Sequence, residues 1–262
     1  MPTKRQNNFM RIAVCFLCVV IYGRPFSLDA EEPAQQEDQK QKETVPEKQP
    51  PRLTRLTIVI QEEALSQEGI HEWAGKAGQL LTEWYPKIAA LLESDGFTPP
   101  GEVTVVFEKM DGVAYTVRDT IHISMDWIRR QPQDFGMVAH ELVHIIQSYP
   151  PRSGPGWVTE GIADYIRHAH YEPEVPLPRI NPDKASYRDA YKTTAGFFIW
   201  IEKKYDPGFV KKLNAAMRER TYKNDLFEKA TGKSLDDLWK EYADTFRDAS
   251  RQRGTVASRD RQ

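Results

Sequence analysis

The order of apolar and polar residues predicts a strand and then a long helix at the start of the folded region. Residues 55–61 (RLTIVIQ) alternate between the two classes and are rich in β-branched side chains, which is typical of a β-strand. Residues 70–92 carry apolar side chains at helical spacing, which predicts a helix. Three short strand candidates follow at 103–108 (VTVVFE), 112–117 (GVAYTV) and 120–125 (TIHISM).

The three later strand candidates are joined by very short connections that contain turn residues. Such close spacing favours antiparallel pairing. After residue 125 the pattern is almost entirely helical, and Asp134, after Pro132, is a candidate N-cap of a helix that Pro150 and Pro151 would end. Strands first and helices afterwards predict an α+β fold, in which a small antiparallel or mixed sheet precedes a mostly helical C-terminal half.

Both ends of the chain predict segments outside the folded domain. Residues 1–30 begin with basic side chains, continue with an apolar run and turn polar, which is the layout of a secretory signal peptide. The apolar run is shorter than the roughly 20 residues of a membrane-spanning helix, so retention as an anchor is the less favoured alternative. The polar segments 31–52 and 251–262 predict a flexible linker and a disordered tail around a domain at 53–250.

The cysteine content and the charge limit the cellular locations and the binding partners that the sequence allows. The only cysteines, Cys15 and Cys18, lie in the apolar run of the signal, so its removal would leave a protein without disulfides. We expect a mature protein that is secreted or lies in the periplasm or cell envelope, with no integral membrane domain. The formal net charge of -2 and the mixing of basic with acidic residues argue against nucleic acid as a partner.

The segment HELVH places His140 and His144 one helical turn apart, with Glu141 beside the first histidine. On a helix the two rings project from one face, while apolar residues such as Val138 and Leu142 occupy the opposite face. Two neutral imidazoles at this spacing suit Zn²⁺, and Glu141 lies close enough to act as a general base toward water. Two surface histidines on an amphipathic helix are the alternative interpretation.

A catalytic zinc site needs a third protein ligand. The extended pattern HExxHxxGxxH is excluded, because Gln147 and Pro150 stand where it requires Gly and His. The next helical segment, GWVTEGIADYIRHAHY, offers Glu160 and, one turn later on the same face, Asp164. This spacing predicts that Glu160 binds the metal and that Asp164 accepts the ring N–H of a ligating histidine. An ordinary solvated helix face is the alternative.

Several stretches, in a fixed order, resemble the basic secretory proteins of plants and their bacterial relatives. These stretches are DGVAYTVRDTIHISMDWI, HELVHIIQSY, GWVTEGIADYIRHAHY, AYKTTAGFFIWIEKKYDPGFVKKLNAAMRERTY and GKSLDDLWKEY. The resemblance covers roughly residues 53–247 and implies a zincin-like fold and a gluzincin-like zinc peptidase. It implies His140, His144 and Glu160 as ligands and Glu141 as the base. The pI near 6.3 departs from the family's name, so no role that requires a cationic surface is implied.

Other residues around the motif also have candidate roles. Tyr191 matches a position that the family fills with tyrosine, which implies a hydrogen bond to the developing oxyanion, although a place in the core is the alternative. His168, two turns after the third ligand, is the alternative donor. His122 should point off the apolar face of its strand in a structural role, and Tyr165 should be core. By analogy with such peptidases, the strand at 120–125 should lie above the active-site helix and pair with an extended peptide.

The sequence as a whole predicts a secreted zinc metallopeptidase that hydrolyses peptide bonds in peptide or protein substrates. Segments 134–147 and 156–165 should form opposite walls of its cleft. A zinc-stabilised binding or defence protein without turnover is the alternative, and a fold that persists without metal is a third possibility. An unligated Glu141 beside an open metal position favours catalysis, because a structural site has no use for it. The sequence leaves the cleaved bond and the oligomeric state open.

Overall fold

A mixed four-stranded sheet opens the computed structural model, which describes the backbone of residues 51–259 and the side chains of residues 51–248. Its strands, in the order β1-β2-β4-β3, are β1 (Arg55–Ile60), β2 (Glu102–Glu108), β3 (Ala114–Val117) and β4 (Thr120–Ser124). β1 pairs with β2 and β2 with β4 in parallel, whereas β3 and β4 form an antiparallel hairpin. The predicted signal peptide, which contains both cysteines, lies outside the described residues, as does most of the predicted linker. Both segments therefore stay predictions.

The expectation that all three later strands pair antiparallel is wrong for β2 and β3, because β4 lies between them. Ile121 and Ile123 of β4 are completely buried, whereas β3 exposes Tyr115 and Val117. The more apolar strand therefore takes the centre of the sheet, where both of its edges are paired, and the strand with more exposed side chains takes the edge.

Nine helices accompany the sheet within the described residues, and all but the first two follow β4. They are α1 (Glu62–Leu65), α2 (Ile70–Leu91), α3 (Met125–Arg130), α4 (Gly136–Gln147), α5 (Gly156–Ile166), α6 (Tyr191–Lys204), α7 (Phe209–Arg218), α8 (Asp225–Thr231) and α9 (Leu235–Arg259). A π-helical turn (Arg167–Tyr171) and a short 3-10 turn (Tyr187–Asp189) lie between α5 and α6. The α+β class with a mostly helical C-terminal half is thus confirmed.

The core lies between one face of the sheet and the helices α2 and α4. Alternate residues of the two central strands are completely buried, among them Val105, Phe107 and Ile123. Trp73 of α2 stacks on Phe135, just before α4, with ring centroids 4.7 Å apart. The long helix that the sequence predicts therefore holds the segment that leads into the HELVH helix.

The start of α4 differs from the prediction. The helix begins at Gly136, and Phe135 is its N-cap without a side-chain hydrogen bond. Asp134 is not the cap, because its carboxylate accepts hydrogen bonds from Trp127 Nε1 at 3.0 Å and Arg167 Nη2 at 2.7 Å. A charge-assisted bond to a guanidinium is stronger than a bond to a backbone amide, so this contact prevails.

The helix that carries the second half of the site, α5, contacts both α4 and α6. It approaches α6 closely at Gly161, where an added Cβ atom would lie 2.3 Å from Thr194 Cγ2. Phe197 and Phe198 of α6 are completely buried and belong to the core. The packing of α6 therefore determines how far α5 stands from the rest of the molecule.

The last helix, α9, packs on this layer through Leu238 and Tyr242, which are buried. It continues to Arg259, so the backbone of 251–259 is helical where the sequence predicts a disordered tail. Helical hydrogen bonding propagates at little cost from turns that are already formed, which accounts for the extension. Within the described residues, no helix combines the length and the apolar character that crossing a membrane requires.

Candidate metal centre

The helix α4 presents two histidines on one face and apolar side chains on the other. Val138, Leu142 and Ile145 are completely buried. The rings of His140 and His144 meet edge to face with centroids 4.8 Å apart, and their Nε2 atoms are 3.1 Å apart. The one-turn spacing in HELVH thus brings two nitrogen donors to one point.

The helix α5 brings a carboxylate to the same point. Glu160 Oε2 lies 3.2 Å from His140 Nε2 and 3.4 Å from His144 Nε2. One donor atom from each of these residues lies within 4.8 Å of the other two, and no other such cluster occurs among the described residues. The structure therefore brings together the three residues that the sequence suggests as ligands.

Each histidine contacts an oxygen acceptor through its other ring nitrogen. His140 Nδ1 lies 2.6 Å from Asp164 Oδ1, the partner that the sequence suggests. His144 Nδ1 lies 2.9 Å from Gln147 Oε1, and the amide nitrogen of Gln147 donates to Thr159 O at 3.0 Å, which fixes the orientation of that amide. Because a carboxylate and an amide oxygen only accept, both Nδ1 atoms donate, and both Nε2 atoms are available to a ligand.

Gln147 is a site residue that the sequence reasoning missed. It is almost completely buried and connects a histidine of α4 with the backbone of α5 immediately before Glu160. Its position three residues after His144 is the available signal, because residues at this spacing are neighbours on one helix face.

The three donors attract positive charge to their common point. Burial lowers the pKa of His140, but hydrogen bonds to Asp164 and Glu160 outweigh it and raise the pKa to about 9. Burial raises the pKa of Glu160, but hydrogen bonds from His140 and His144 outweigh it and lower the pKa to about 2. The carboxylates beside His140 thus favour positive charge at this point, which a proton or a metal cation can supply.

The spacing of the donors fits a small tetrahedral cation. Zinc ligands lie about 2.0–2.1 Å from the ion, so two donors at neighbouring corners of a tetrahedron lie roughly 3.3 Å apart. The three distances among the donors here are 3.1, 3.2 and 3.4 Å. The two imidazoles and the carboxylate could therefore hold such an ion with little rearrangement.

Glu141 lies beside the three donors without being one of them. Its side chain lines the same cleft, and its Oε2 accepts a hydrogen bond from Thr116 Oγ1 of β3 at 2.7 Å. Sequence reasoning missed Thr116, because this contact joins residues 25 positions apart and arises only when β3 packs against α4. The threonine limits the positions that the Glu141 carboxylate can adopt.

Tyr191, the first residue of α6, stands over the donors. Its ring faces that of His140 with centroids 6.1 Å apart and an interplanar angle of 22°, and it is 55% exposed, so it is not a core residue. The charge of Glu160, followed by burial and the charges of Asp164 and Glu141, raises the pKa of Tyr191. The hydroxyl therefore keeps its proton at neutral pH, and it has no hydrogen-bond partner within the described residues.

The remaining candidate residues lie away from the donors. His168, the alternative oxyanion donor, has a completely buried side chain and does not line the cleft. The prediction fails because α5 passes into the π-helical turn, where the angular spacing of an α-helix no longer applies. His122 bonds to Glu108 at 2.7 Å on the sheet, in keeping with a structural role, and Tyr165 is a core residue as predicted.

The three donors open into a cleft of about 1380 Å³. Residues from both predicted walls line it, from 134–147 on one side and 156–165 on the other, together with β3 and the start of α6. Among the described residues β3 pairs only with β4, so its other edge is free there, whereas β4 is paired on both edges. The expectation that the strand at 120–125 offers the free edge is therefore wrong, and β3 occupies that position.

The fold and the site together define the class of protein. It is an α+β protein in which a helix with the HExxH motif and a glutamate from the next helix form a candidate metal centre in a cleft. A family described as peptidase of plants and bacteria matches residues 55–242. The chain belongs to this peptidase family, which confirms the family that the sequence motifs suggest and implies peptide or protein substrates. Comparisons with curated proteins and with solved structures return no match.

Proposed function

We propose that this chain is a zinc-dependent peptidase in which His140, His144 and Glu160 hold the ion and Glu141 is the general base. The observation that carries the proposal is the convergence of two Nε2 atoms and one carboxylate oxygen at 3.1–3.4 Å, beside an unligated glutamate in a cleft. Membership in a peptidase family supports the same class of reaction.

Zinc is the proposed metal because two imidazole nitrogens and one carboxylate oxygen form a donor set typical of catalytic zinc. Zinc bound here would polarise the scissile carbonyl and lower the pKa of the attacking water toward about 7. Structural zinc sites use four protein ligands, whereas the described residues supply three at this point. This difference favours a site that is open to substrate over a purely structural one.

The residues around the ligands have separate tasks in the proposed reaction. Glu141 accepts a proton from the attacking water and delivers it to the nitrogen of the leaving amine. Thr116 holds one oxygen of that carboxylate through its hydroxyl, which leaves the other oxygen available. Tyr191 donates its hydroxyl proton in a hydrogen bond to the oxyanion that develops on the scissile carbonyl.

The free edge of β3 is the proposed site for the backbone of the substrate. Residues Ala114 and Thr116 of this strand line the cleft beside Glu141. An extended peptide that pairs with an unpaired strand edge has its backbone groups satisfied and presents a peptide bond to the neighbouring catalytic groups. We thus keep the prediction that a strand edge pairs with the substrate, but we assign this role to β3 instead of β4.

We also propose that the protein acts outside the cytoplasm, as the layout of residues 1–30 indicates. Expression of the full chain in a bacterial or plant host that processes secretory signals tests this. We expect a mature protein in the medium or envelope fraction whose mass corresponds to a start near residue 31. Retention of the full-length chain in the cytoplasm would contradict the proposal.

The substitution Glu141→Gln tests the catalytic proposal. Because the amide cannot accept the proton, kcat/KM on a casein or peptide-library substrate should fall by about 10³-fold or more, within the usual contribution of general base catalysis. Zinc content should stay at that of the wild type, because Glu141 does not bind the ion. Glu68→Gln, at an exposed position before α2, should change neither quantity.

Two results of this experiment would overturn the proposal. Full activity of Glu141→Gln would remove Glu141 as the base. Zinc binding by the wild type at one equivalent, without hydrolysis of any library peptide, would instead establish the non-catalytic binding protein.

A further inference from the structure

The backbone takes an unusual path where the chain enters α6. Ala190 has φ 62° and ψ -167°, and Tyr191 immediately after it has φ 47°. The first of these conformations is populated almost only by glycine, because the Cβ atom of other residues clashes with the backbone there. Two consecutive residues with positive φ and with side chains therefore hold strain at the point where Tyr191 meets the cleft.

The residues before this pair are firmly held. Ser186 and Asp189 form a capping box, in which Ser186 N donates to Asp189 Oδ2 at 2.8 Å and Arg188 N donates to Ser186 Oγ at 3.1 Å. The side chain of Tyr187 is buried and donates to Asp236 of α9 at 3.0 Å. The chain therefore enters the strained pair from a fixed direction.

The residues after the pair are also held. Thr194 is completely buried, donates its hydroxyl to Tyr187 O at 2.6 Å and lies against Gly161 of α5. The path from Tyr187 to Thr194 is thus closed at both ends by buried contacts. These contacts fix the two ends of the connection, and between fixed ends a strained backbone conformation can persist.

We propose that Ala190 is a positioning residue that holds the ring of Tyr191 over His140 through this strained conformation. Alanine restricts the backbone to few alternatives, whereas glycine at the same position would make many others accessible. The Tyr191 hydroxyl has no hydrogen bond of its own within the described residues, so its position depends on the backbone at 190–191 and on the contact of its ring with His140. The positioning role of Ala190 rests on the proposed oxyanion role of Tyr191. The backbone strain at Ala190 does not depend on that role.

The substitution Ala190→Gly separates strain from function. Relief of the strain should raise the urea midpoint of unfolding by about 0.5 M, because a conformation that disfavours side chains costs more than the added freedom of glycine in the unfolded chain. Ala185→Gly is the matched control, since Ala185 lies in the same connection without a positive φ. This control should lower the midpoint. If Ala190→Gly lowered the urea midpoint of unfolding as the control does, the claim that Ala190 is strained would be wrong.

The kinetic part of the test uses Ala190→Gly, Tyr191→Phe and the double variant. We expect Ala190→Gly to lower kcat by about tenfold with little change in KM, because the ring samples other positions. In the Tyr191→Phe background the same substitution should leave kcat unchanged, while the rise in urea midpoint persists. Equal effects of Ala190→Gly on kcat in both backgrounds would overturn the positioning role.

The failure of this inference can be distinguished from the failure of the proposed function. If the wild type hydrolyses no peptide, the peptidase proposal falls, and the urea midpoints still show whether the connection is strained. If Tyr191→Phe retains full kcat, the oxyanion role and with it the positioning role of Ala190 are overturned, whereas Glu141 remains the tested base.

Discussion

At the scale of single residues, the two histidines differ in the group that holds each ring. The partner of His140 is a carboxylate, Asp164, whereas the partner of His144 is a neutral amide, Gln147. Both oxygens fix the same tautomer, but the carboxylate increases the basicity of its histidine more strongly. If the proposed metal binds here, the neutral partner keeps the negative charge around it lower, which would leave the metal a stronger Lewis acid.

The role of Gln147 can be tested by Gln147→Met, which removes both hydrogen bonds at similar volume. Because such supporting contacts orient ligands, zinc affinity should fall by about 10- to 100-fold in competition with a chelating dye. Gln133→Met, at an exposed position that lines the cleft away from the donors, should leave the affinity unchanged. An unaltered affinity in Gln147→Met would show that the amide does not support the site.

The pKa of His140 predicts how metal affinity depends on pH. With a pKa of about 9 in the metal-free protein, His140 is protonated at pH 7, and the metal must displace that proton. Apparent zinc affinity should therefore rise about tenfold per pH unit between pH 7 and 9 and level off above. Competition titrations, corrected for the pH dependence of the chelator, measure this slope, and a flat profile over that range would contradict the shift.

The sequence revealed the residues of the site that follow a helical spacing and missed those that do not. His140, His144, Glu160 and Asp164 could be found because each pair lies one turn apart on its own helix. Thr116 reaches Glu141 only through the packing of a strand on a helix, and no local pattern encodes that contact. Long-range contacts of this kind need the tertiary structure.

At the scale of elements, strand order and helix ends were the least predictable features. The periodicity identified the strands, but their order depends on which strand is more apolar across the whole sheet, so β4 took the centre and β3 the edge. The prediction of Asp134 as an N-cap was wrong because Arg167, more than thirty residues away in sequence, is a stronger hydrogen-bond donor to the Asp134 carboxylate. Local preference yields to tertiary contacts in both cases.

The contact between α5 and α6 positions Glu160, the proposed third ligand, because Glu160 directly precedes Gly161. A methyl group at Gly161 would lie 2.3 Å from Thr194 Cγ2, so Gly161→Ala must push the two helices apart. We expect a loss of about 1–3 kcal/mol in the free energy of unfolding, the usual range for overpacking, and weaker zinc binding. Urea unfolding followed by tryptophan fluorescence, together with a zinc titration, measures both quantities.

Gly156→Ala provides the matched control in the same helix. No atom lies within 4 Å of the added Cβ there, so the substitution should be neutral or stabilising by up to about 1 kcal/mol. If Gly161→Ala proved as harmless as Gly156→Ala, the close approach of α5 and α6 would not determine the position of Glu160.

At the scale of the whole molecule, the sheet and the helices α2 and α6 serve to hold α4 and α5 at a fixed distance. α4 is packed against α2 and the sheet, and α5 against both α4 and α6, and the buried apolar side chains of these helices belong to one core. A metal that bridges the two helices would bind the folded state alone and stabilise it. The order of strands and helices in the sequence predicted the fold class, but it did not predict which helices pack against one another.

The central claim is that side chains from two helices hold one zinc ion. The most direct test measures the zinc content of purified protein after loading and dialysis, for the wild type, Glu160→Gln and the cleft variant Glu172→Gln. The account predicts about one zinc per chain in the wild type and in Glu172→Gln, and a large loss in Glu160→Gln, because an amide oxygen is a poor zinc ligand. A wild type that retains no zinc, or a Glu160→Gln variant that retains as much as the wild type, would contradict it.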